Sequence, residues 1–194
     1  MICGGEEKAR DFCGELTDAE GLARLDRLAA MVIEENTRQN LIATASEGAI
    51  WLRHLADSAQ LLRHVSREAA PWLDLGTGAG FPGLGIAAMR PELEVVLVES
   101  RKKRVDWLER AAVELGLGKC RVEGRRLELV KSFPAATISA RAFAPLPKLF
   151  ALSARFSTQD TLWLLPKGRS AVHEVAQLPA TVAQMFHVEH SVTD

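Results

Sequence analysis

The spacing of hydrophobic and polar residues changes near residue 70 of the chain. Before that point, apolar residues recur at helical spacing, first in a stretch that ends at Val32 and Ile33 and again from Trp51 to Val65. After it, short apolar runs of strand length appear at residues 72–75, 95–98, 120–122, 137–140 and 161–165. Between these runs lie segments that are amphipathic or rich in small residues, at 82–89, 101–115, 146–156 and 170–178. The pattern therefore predicts helices at the start, followed by strands that alternate with helices.

This alternation predicts an α/β fold with a doubly wound, mostly parallel sheet. Strands that are apolar on both faces are typical of a parallel sheet that helices cover on both sides. We expect a Rossmann-like domain over residues 69–194 and a helical N-terminal cap over residues 1–68, together forming one compact unit. The β-branched residues between 181 and 192 favour one further strand near the end of the chain.

The starts of two N-terminal helices carry capping signals. Thr17 and Glu20 have the spacing of a capping box, in which a hydroxyl and a carboxylate satisfy each other's backbone donors. Thr44 or Ser46 precedes the second apolar stretch and is expected to cap its helix.

Several histidines and one charge pair belong to the predicted helices and strands. Arg53 and Asp57 lie four residues apart on the second helix, so an ion pair between them is expected. His54, beside them, is expected to be packed or hydrogen-bonded rather than a catalyst. His187 and His190 do not predict a metal site, because residues three apart on a strand point to opposite faces.

Length and composition indicate an ordinary folded domain. The 194 residues are 47% hydrophobic and 25% charged, which is normal for a globular protein. No apolar run is long enough to span a bilayer, and the first ten residues lack the apolar core of a signal peptide. Three cysteines without Cys-x-x-Cys or zinc spacing favour a reduced, cytoplasmic location and exclude a disulfide framework.

The overall charge hides a strong local asymmetry. The net charge of −1 speaks against a general nucleic-acid binder. Residues 101–169, however, hold 15 basic and 6 acidic residues, whereas residues 1–50 hold 5 basic and 10 acidic residues. The basic stretch is a candidate surface for phosphate contacts. The alternative, which charge alone leaves open, is a set of solvated helix faces and ion pairs.

The segment at residues 72–83, Trp-Leu-Asp-Leu-Gly-Thr-Gly-Ala-Gly-Phe-Pro-Gly, is the most informative part of the sequence. It has the pattern of a strand, a tight turn and the start of a helix, and its turn carries Gly76, Gly78 and Gly80. Glycines allow positive φ and a close approach of the backbone to a ligand. Open α/β sheets bind ligands at the carboxyl ends of their strands. The turn therefore predicts a nucleotide-like ligand.

Three side chains bear on which nucleotide this is. Phe81 stands where the dinucleotide pattern Gly-x-Gly-x-x-Gly has its third glycine, which speaks against NAD. Asp74, in the end of the strand, suits the ammonium group of S-adenosylmethionine, directly or through water. Glu99 follows the next strand, where a carboxylate can accept both ribose hydroxyls. The set favours S-adenosylmethionine; the alternative is a structural glycine turn with a surface acid.

At these residues the sequence resembles a known family. The stretch from Asp74 to Gly83 resembles the cofactor loop of class I methyltransferases, and its Phe-Pro-Gly end resembles the glucose-inhibited division protein B family, the small-subunit rRNA methyltransferases G. Further matching pieces run along almost the whole chain: Asn36-x-x-x-Asn40-Leu41, Arg53-His54-Leu55-Ala56-Asp57-Ser58, Val98-Glu99-Ser100, Lys103-Arg104, Gly124-Arg125, Ile138-Ser139-x-Arg141-Ala142-Phe143-Ala144 and Lys167-Gly168. The sequence departs from the family pattern at Glu35, where an aromatic residue is expected, and we expect the closing strand of the family to be missing.

The resemblance implies a function. The resemblance implies an enzyme that methylates N7 of one guanine in 16S rRNA, of the guanine 527 type in the 530 loop. The implied cofactor is S-adenosyl-L-methionine, and the implied product is S-adenosyl-L-homocysteine. The implied partner is 16S rRNA, as naked RNA, in the small ribosomal subunit or in an assembly intermediate. A monomer without metal and without membrane contact is expected.

The resemblance also implies roles for individual residues. No acid–base catalyst is assigned, because N7 of guanine carries a free lone pair at neutral pH. The expected cofactor-binding residues are Asp74, Gly76, Gly78, Gly80, Phe81, Glu99, Arg126, Leu127 and Arg141. The expected substrate-binding residues are Arg53, His54, Lys102, Lys103, Arg125, Phe143 and Lys167, and the hypothesis of an RNA-contacting set adds Arg101, Arg104, Arg126, Lys148 and Arg169.

Three other functions remain as alternatives at this point. The first is an NAD-linked oxidoreductase, which Phe81 disfavours. The second is a methyltransferase that acts on a small molecule or a protein. The third is a non-catalytic RNA-binding or ribosome-assembly factor that keeps the methyltransferase fold.

Overall fold

A computed structural model describes residues 4–66, 69–168 and 171–193. Its centre is one sheet of five strands, in the order β3-β2-β1-β4-β5, and every neighbouring pair is parallel. The strands are β1 (Trp72–Leu75), β2 (Val95–Val98), β3 (Cys120–Glu123), β4 (Thr137–Ala140) and β5 (Leu162–Leu164). The predicted parallel α/β sheet is confirmed.

The helices pack on both faces of this sheet. Their bounds are α1 (Glu6–Gly14), α2 (Ala19–Asn36), α3 (Asp57–Ala59), α4 (Gly83–Met89), α5 (Lys102–Glu114), α6 (Leu146–Ser153), α7 (Ala171–Ala176) and α8 (Ala180–Ala183). Alternate residues of the central strands enter two hydrophobic clusters. Trp72 and Val95 join one with α4 and α5, whereas Leu73 and Val96 join the other with α6. This is why those strands are apolar on both faces.

The N-terminal helices begin differently from the prediction. The cap of α2 is Asp18, whose carboxylate accepts a hydrogen bond from Gly21 N at 2.7 Å. The predicted cap, Thr17, instead donates to the carbonyl of Met89 in α4 at 2.9 Å. A 3₁₀-helix spans Thr44–Ala49 without a side-chain cap, so neither Thr44 nor Ser46 has the predicted capping role.

The helical segment at residues 51–64, which the sequence predicts as a single helix, changes its winding along its length. A π-helical turn spans Trp51–Ala56, α3 continues it, and a 3₁₀ turn ends it at Gln60–His64. Single π-turns are rare and occur frequently at functional sites. The segment packs against α1 and α4.

The prediction of a strand between residues 181 and 192 is wrong. That stretch contains the end of α8, and β5 pairs with β4 alone among the described strands. The β-branched residues lose to local signals, because Pro179 precedes α8 and its carbonyl accepts from Val182 N and Ala183 N. The tail then docks on the 3₁₀ turn, where Gln60 accepts from Val192 N at 3.0 Å.

An ion pair between a buried carboxylate and an exposed arginine ties the N-terminal helices to the sheet domain. Glu35 of α2 is buried, and its Oε2 lies 2.5 Å from Arg110 Nη2 of α5. Burial raises the pKa of the Glu35 carboxyl, but the hydrogen bonds from Gln39 and Arg38 and the charges of Arg110 and Arg38 together outweigh it, so its pKa is lowered. This explains how the chain accommodates an acid where an aromatic residue was expected. The domain boundary at residue 68 stays a prediction, since residues 67–68 lie outside the described chain.

Candidate functional site

The turn after β1, residues 76–82, has the backbone that its glycines predict; we call it the glycine loop. Gly76 has a φ of +65° and Gly78 a φ of +62°, values that other residues rarely adopt. A Cβ on Gly76 would also lie 2.5 Å from Cδ2 of Phe143. The loop therefore needs glycine both for its conformation and for the approach of the segment after β4.

Asp74 lies beneath the glycine loop and holds it in place. The side chain is fully buried. Its Oδ1 accepts from Ser139 Oγ at 2.6 Å, and its Oδ2 accepts from Thr77 Oγ1 at 2.7 Å and from Gly83 N at 3.1 Å. Burial raises the pKa of this carboxyl, against the effect of these three hydrogen bonds. The observed role of Asp74 is thus to fix the loop, and its contact with a ligand ammonium stays a prediction.

Glu99 follows β2 directly, at the carboxyl end of the parallel strands. Its Oε2 accepts from Gly78 N at 3.2 Å, and its Oε1 accepts from Ser100 N at 2.7 Å and Arg101 N at 2.9 Å. The carboxylate thereby joins the glycine loop to the end of β2. A carboxylate has about four acceptor positions, so Oε2 retains capacity for a ligand hydroxyl.

A cleft of about 450 Å³ opens between these loops; we call it the sheet-edge cleft. Its volume lies within the ~300–1,000 Å³ range of small-molecule sites. It is lined by Gly76, Val98, Glu99, Ser100, Arg101, Arg104, Arg125, Arg126, Leu127, Glu128, Ala142, Phe143, Ala144, Lys148 and Leu152. A nucleoside fits this lining. The carboxylate beside the glycine loop suits the polar ribose, and the loop after β3 together with the apolar side chains suits the flat purine.

The structure places six of the predicted cofactor- and substrate-binding residues in this cleft. Glu99, Gly76 and Phe143 line the side of the glycine loop, and Arg126 and Leu127 line the side of the loop after β3. Arg126 is the N-cap residue of a 3₁₀ turn at Leu127–Leu129. Arg125, predicted for the substrate, also lines the cleft and pairs with Glu123 at 3.3 Å.

Arg141 and His54 form a cluster of side chains that lies outside the cleft and contacts the glycine loop at Phe81. Nη1 of Arg141 donates to Asp57 Oδ2 at 3.2 Å, and Nη2 lies 3.0 Å from His54 Nδ1. The predicted Arg53–Asp57 pair is wrong, because Asp57 pairs with Arg141 across the fold instead. His54 also stacks on Phe81, with ring centroids 5.1 Å apart. The expectation that His54 is packed and hydrogen-bonded is confirmed.

Protonation of His54 is disfavoured. Burial, followed by the charges of Arg141 and Arg53, lowers the pKa of its imidazole from 6.5 to about 4. The unfolded chain therefore binds more protons than the folded chain between these values. Stability from this group is complete above pH 6.5 and is lost as the pH falls towards 4.

We expect His54→Asn to remove part of the acid sensitivity of the protein. When the pH falls from 7 to 5, the resistance of His54 to protonation is expected to lower the free energy of unfolding of the wild type by about 1–2 kcal/mol, after allowance for its partial exposure. Urea unfolding at the two pH values measures this difference. His64→Asn, at an exposed position of the same helical segment, is the matched variant. Equal pH dependence in wild type and His54→Asn would contradict the assignment.

Of the other predicted basic residues, Arg101, Arg104 and Lys148 also line the cleft, whereas the rest lie outside it or are engaged by neighbours. Lys102 pairs with Asp106 one helical turn away, and Lys103 is exposed on α5. Lys167 is bound by Glu174 at 2.9 Å. Arg169 lies outside the described residues.

Sequence reasoning missed three contributors to the site. Ser139 and Thr77 fix Asp74, and Ala142 carries the φ of +53° that turns the chain after β4. Only the strand register, which pairs Asp74 with Ser139, reveals the first contact. Thr77 had a local signal, since it lies three residues after the acid.

Within residues 4–66, 69–168 and 171–193, no group of three His, Cys, Asp or Glu side chains is suited to holding a metal ion. In that same part of the chain, none of the helices has the length and apolar character needed to cross a membrane.

Known proteins resemble this chain over most of its length. The chain is 57% identical to a ribosomal RNA small subunit methyltransferase G of Erythrobacter litoralis over 188 residues, which cover 97% of this chain and 91% of the relative. It is 56% identical to the protein of the same name from Novosphingobium aromaticivorans, covering 91% and 78% of the two chains.

A solved structure supports the fold alone. Coclaurine N-methyltransferase, bound to N-methylheliamine and SAH, matches with a TM-score of 0.52 at 16% identity, over 82% of this chain and 56% of that one.

A family model also matches the sequence. The model is described as rRNA small subunit methyltransferase G, and it covers residues 21–193 of this chain. The chain therefore belongs to the GidB family of rRNA small subunit methyltransferases G.

Proposed function

We propose that this chain uses S-adenosylmethionine to methylate N7 of a guanine in 16S rRNA, the guanine of the 530 loop. One observation carries the proposal: in a member of this family, the glycine loop and Glu99 meet at a single cleft of nucleoside size. The proposed partner is 16S rRNA in the small ribosomal subunit or its assembly intermediate, and the proposed location is the cytoplasm.

The residues of the cleft divide the binding task. Glu99, through Oε2, accepts from a ribose hydroxyl while it keeps the glycine loop against β2. The backbone at Arg126 and Leu127 meets the adenine edge, and the glycine loop lies along the remainder of the cofactor. When bound, S-adenosylmethionine supplies an electrophilic methyl group on its sulfonium sulfur. Asp74 keeps the loop in this shape from below.

The chemistry asks for positioning rather than proton transfer. N7 of guanine needs no deprotonation before it attacks a methyl group, so no general base is assigned. Holding the two reactants in line supplies most of the acceleration in such a reaction. Phe143 borders the cleft over Gly76, and we assign it to the wall against which an unstacked base lies, since RNA bases bind aromatic side chains when splayed out.

The rim of the cleft is the proposed RNA contact. Arg126 and Lys148 are exposed, line the cleft and form no ion pair within the described part of the chain. Lys102, by contrast, is engaged by Asp106. We therefore expect the RNA backbone to cross the cleft mouth rather than α5.

The double substitution Arg126→Ala and Lys148→Ala is expected to weaken RNA binding about tenfold at low salt. It should also reduce the slope of log affinity against log salt by about 1.4, because single-stranded contacts contribute about 0.7 each. Filter binding of a 530-loop RNA over a salt series measures both. Lys102→Ala with Lys103→Ala is the matched pair on α5. An unchanged slope for the rim pair and a reduced one for the α5 pair would place the RNA on α5 instead.

Tritiated methyl transfer tests the proposed activity. Small subunits from cells that lack this modification are incubated with the protein and S-adenosyl-[³H-methyl]methionine. Incorporation into 16S rRNA supports an enzyme, whereas RNA binding without incorporation supports the assembly-factor alternative. Calorimetry with S-adenosylhomocysteine and NAD tests the cofactor, and binding of NAD alone would support the oxidoreductase.

A further inference from the structure

The guanidinium of Arg141 lies in a socket built by one turn of the N-terminal helices. Its acceptors are the carbonyl oxygen of Arg53 at 3.2 Å, Oδ2 of Asp57 at 3.2 Å and Nδ1 of His54 at 3.0 Å. All three lie in the π-helical turn or directly after it. A guanidinium carries five donors in a fixed fork, so three acceptors from one short segment hold its position and orientation together.

His54 joins this socket to the glycine loop. Its ring stacks on Phe81 at an interplanar angle of 18°, and Cζ of Arg141 lies 5.8 Å from the centre of the same Phe81 ring. Phe81 belongs to the glycine loop, and Arg141 begins the segment that places Phe143 against Gly76. His54 itself does not line the sheet-edge cleft, yet it contacts one residue of the glycine loop and one at the start of the segment after β4.

The hydrogen bond from Arg141 requires a neutral imidazole. Nδ1 accepts from a guanidinium, so it carries a lone pair and the proton resides on Nε2. The charged groups that face the ring are Arg53 and Asp57 from its own segment and Arg141 from the end of β4. Nε2 is buried and lacks a hydrogen-bond partner among the described residues. Both guanidinium charges oppose a second proton.

We propose that His54 is a positioning residue of the cofactor site, which acts in its neutral form by holding Arg141 through Nδ1 and the glycine loop through Phe81. This inference rests on the proposed cofactor and goes beyond it, because it makes the N-terminal helices part of the cofactor site. The π-turn supplies the geometry that brings the carbonyl, the carboxylate and the imidazole to one guanidinium.

Two variants separate the acceptor from the ring. His54→Phe keeps the aromatic contact with Phe81 but removes the acceptor, whereas the amide oxygen of His54→Asn takes the place of Nδ1. We expect His54→Phe to raise the Kd of S-adenosylhomocysteine and the KM of S-adenosylmethionine about tenfold, with kcat changed less than threefold. His54→Asn keeps an acceptor but loses the stacking on Phe81, so it should raise the same two constants only about threefold. His64→Asn, on the same helix but outside the cluster, is the control.

The outcomes distinguish the inference from the proposed function. Wild-type affinity in His54→Phe, or equal losses in His54→Phe and His54→Asn, would overturn the positioning role alone. A wild-type protein that does not bind S-adenosylhomocysteine would overturn the cofactor assignment and the inference with it.

A measurement on the unmodified chain covers the case in which His54→Phe does not fold. Nitrogen-15 spectra of the wild-type imidazoles at pH 7 report the protonation of each ring nitrogen. We expect His54 to show an unprotonated, hydrogen-bonded Nδ1 and a protonated Nε2. A protonated Nδ1, as imidazolium or as the other tautomer, would overturn the inference.

Discussion

Replacing Glu99 by Ala is expected to weaken the binding of S-adenosylhomocysteine at least 100-fold. The carboxylate is the acid at the end of β2 that lines the sheet-edge cleft, and it also accepts from Gly78 N in the glycine loop. Its loss removes hydrogen bonds to a charged acceptor, which contribute about 1.5–3 kcal/mol each. The two bonds at Oε2, to a ribose hydroxyl and to Gly78 N, together correspond to about a 100-fold or larger change in Kd.

Glu128→Ala is the matched control for this prediction, since Glu128 lines the same cleft but is exposed. Titration calorimetry of both variants gives the affinities, and thermal unfolding without ligand shows whether each variant is folded. We expect Glu128→Ala to bind within threefold of wild type. Equal affinities for Glu99→Ala and Glu128→Ala would mean that Glu99 does not contact the cofactor.

Replacing Gly83 by Ala is expected to have the largest effect on stability. A Cβ at this position would lie 2.5 Å from Leu97 Cδ2 and 2.6 Å from Asp74 Cβ. Both neighbours are fully buried, so neither has room to move without displacing β1 or β2. Overpacking of this kind costs about 3 kcal/mol, and the Tm of a chain of this length falls by about 6–12 °C.

The same substitution should also disturb the cofactor site. Gly83 N donates to Asp74 Oδ2, so a shift of α4 loosens the hold of Asp74 on the glycine loop. Gly118→Ala is the control, because a Cβ there meets nothing within 4 Å. Thermal unfolding monitored by circular dichroism measures both variants. A Tm within 2 °C of wild type for Gly83→Ala would contradict the packing described here.

The sheet was predictable because its strands are buried on both faces. Strands β1, β2 and β4 begin and end at the residues that the apolar runs predict. Burial on both faces favours valine, leucine and isoleucine, which make up all of β2 and half of β1. The glycine loop was predictable for a related reason, since its positive φ values exclude most other residues.

What the sequence did not reveal depends on contacts between distant segments. Asp57 has Arg53 within one helical turn, yet it pairs with Arg141, which lies 84 residues away. Thr17 has the spacing of a helix cap, yet its hydroxyl bonds to Met89 in α4. In both cases a tertiary partner displaces the local one, and spacing along a single segment contains no information about it.

Identification of the methylated base is the most direct test of the central claim. Small subunits that lack the modification are treated with the protein and S-adenosylmethionine, and the nucleosides and fragments of the 16S rRNA are analysed by mass spectrometry. We predict one 7-methylguanosine per 16S rRNA, located in the 530 loop, and none with Glu99→Ala. A methyl group on another base or another atom, or transfer that is unaffected in Glu99→Ala, would contradict the account.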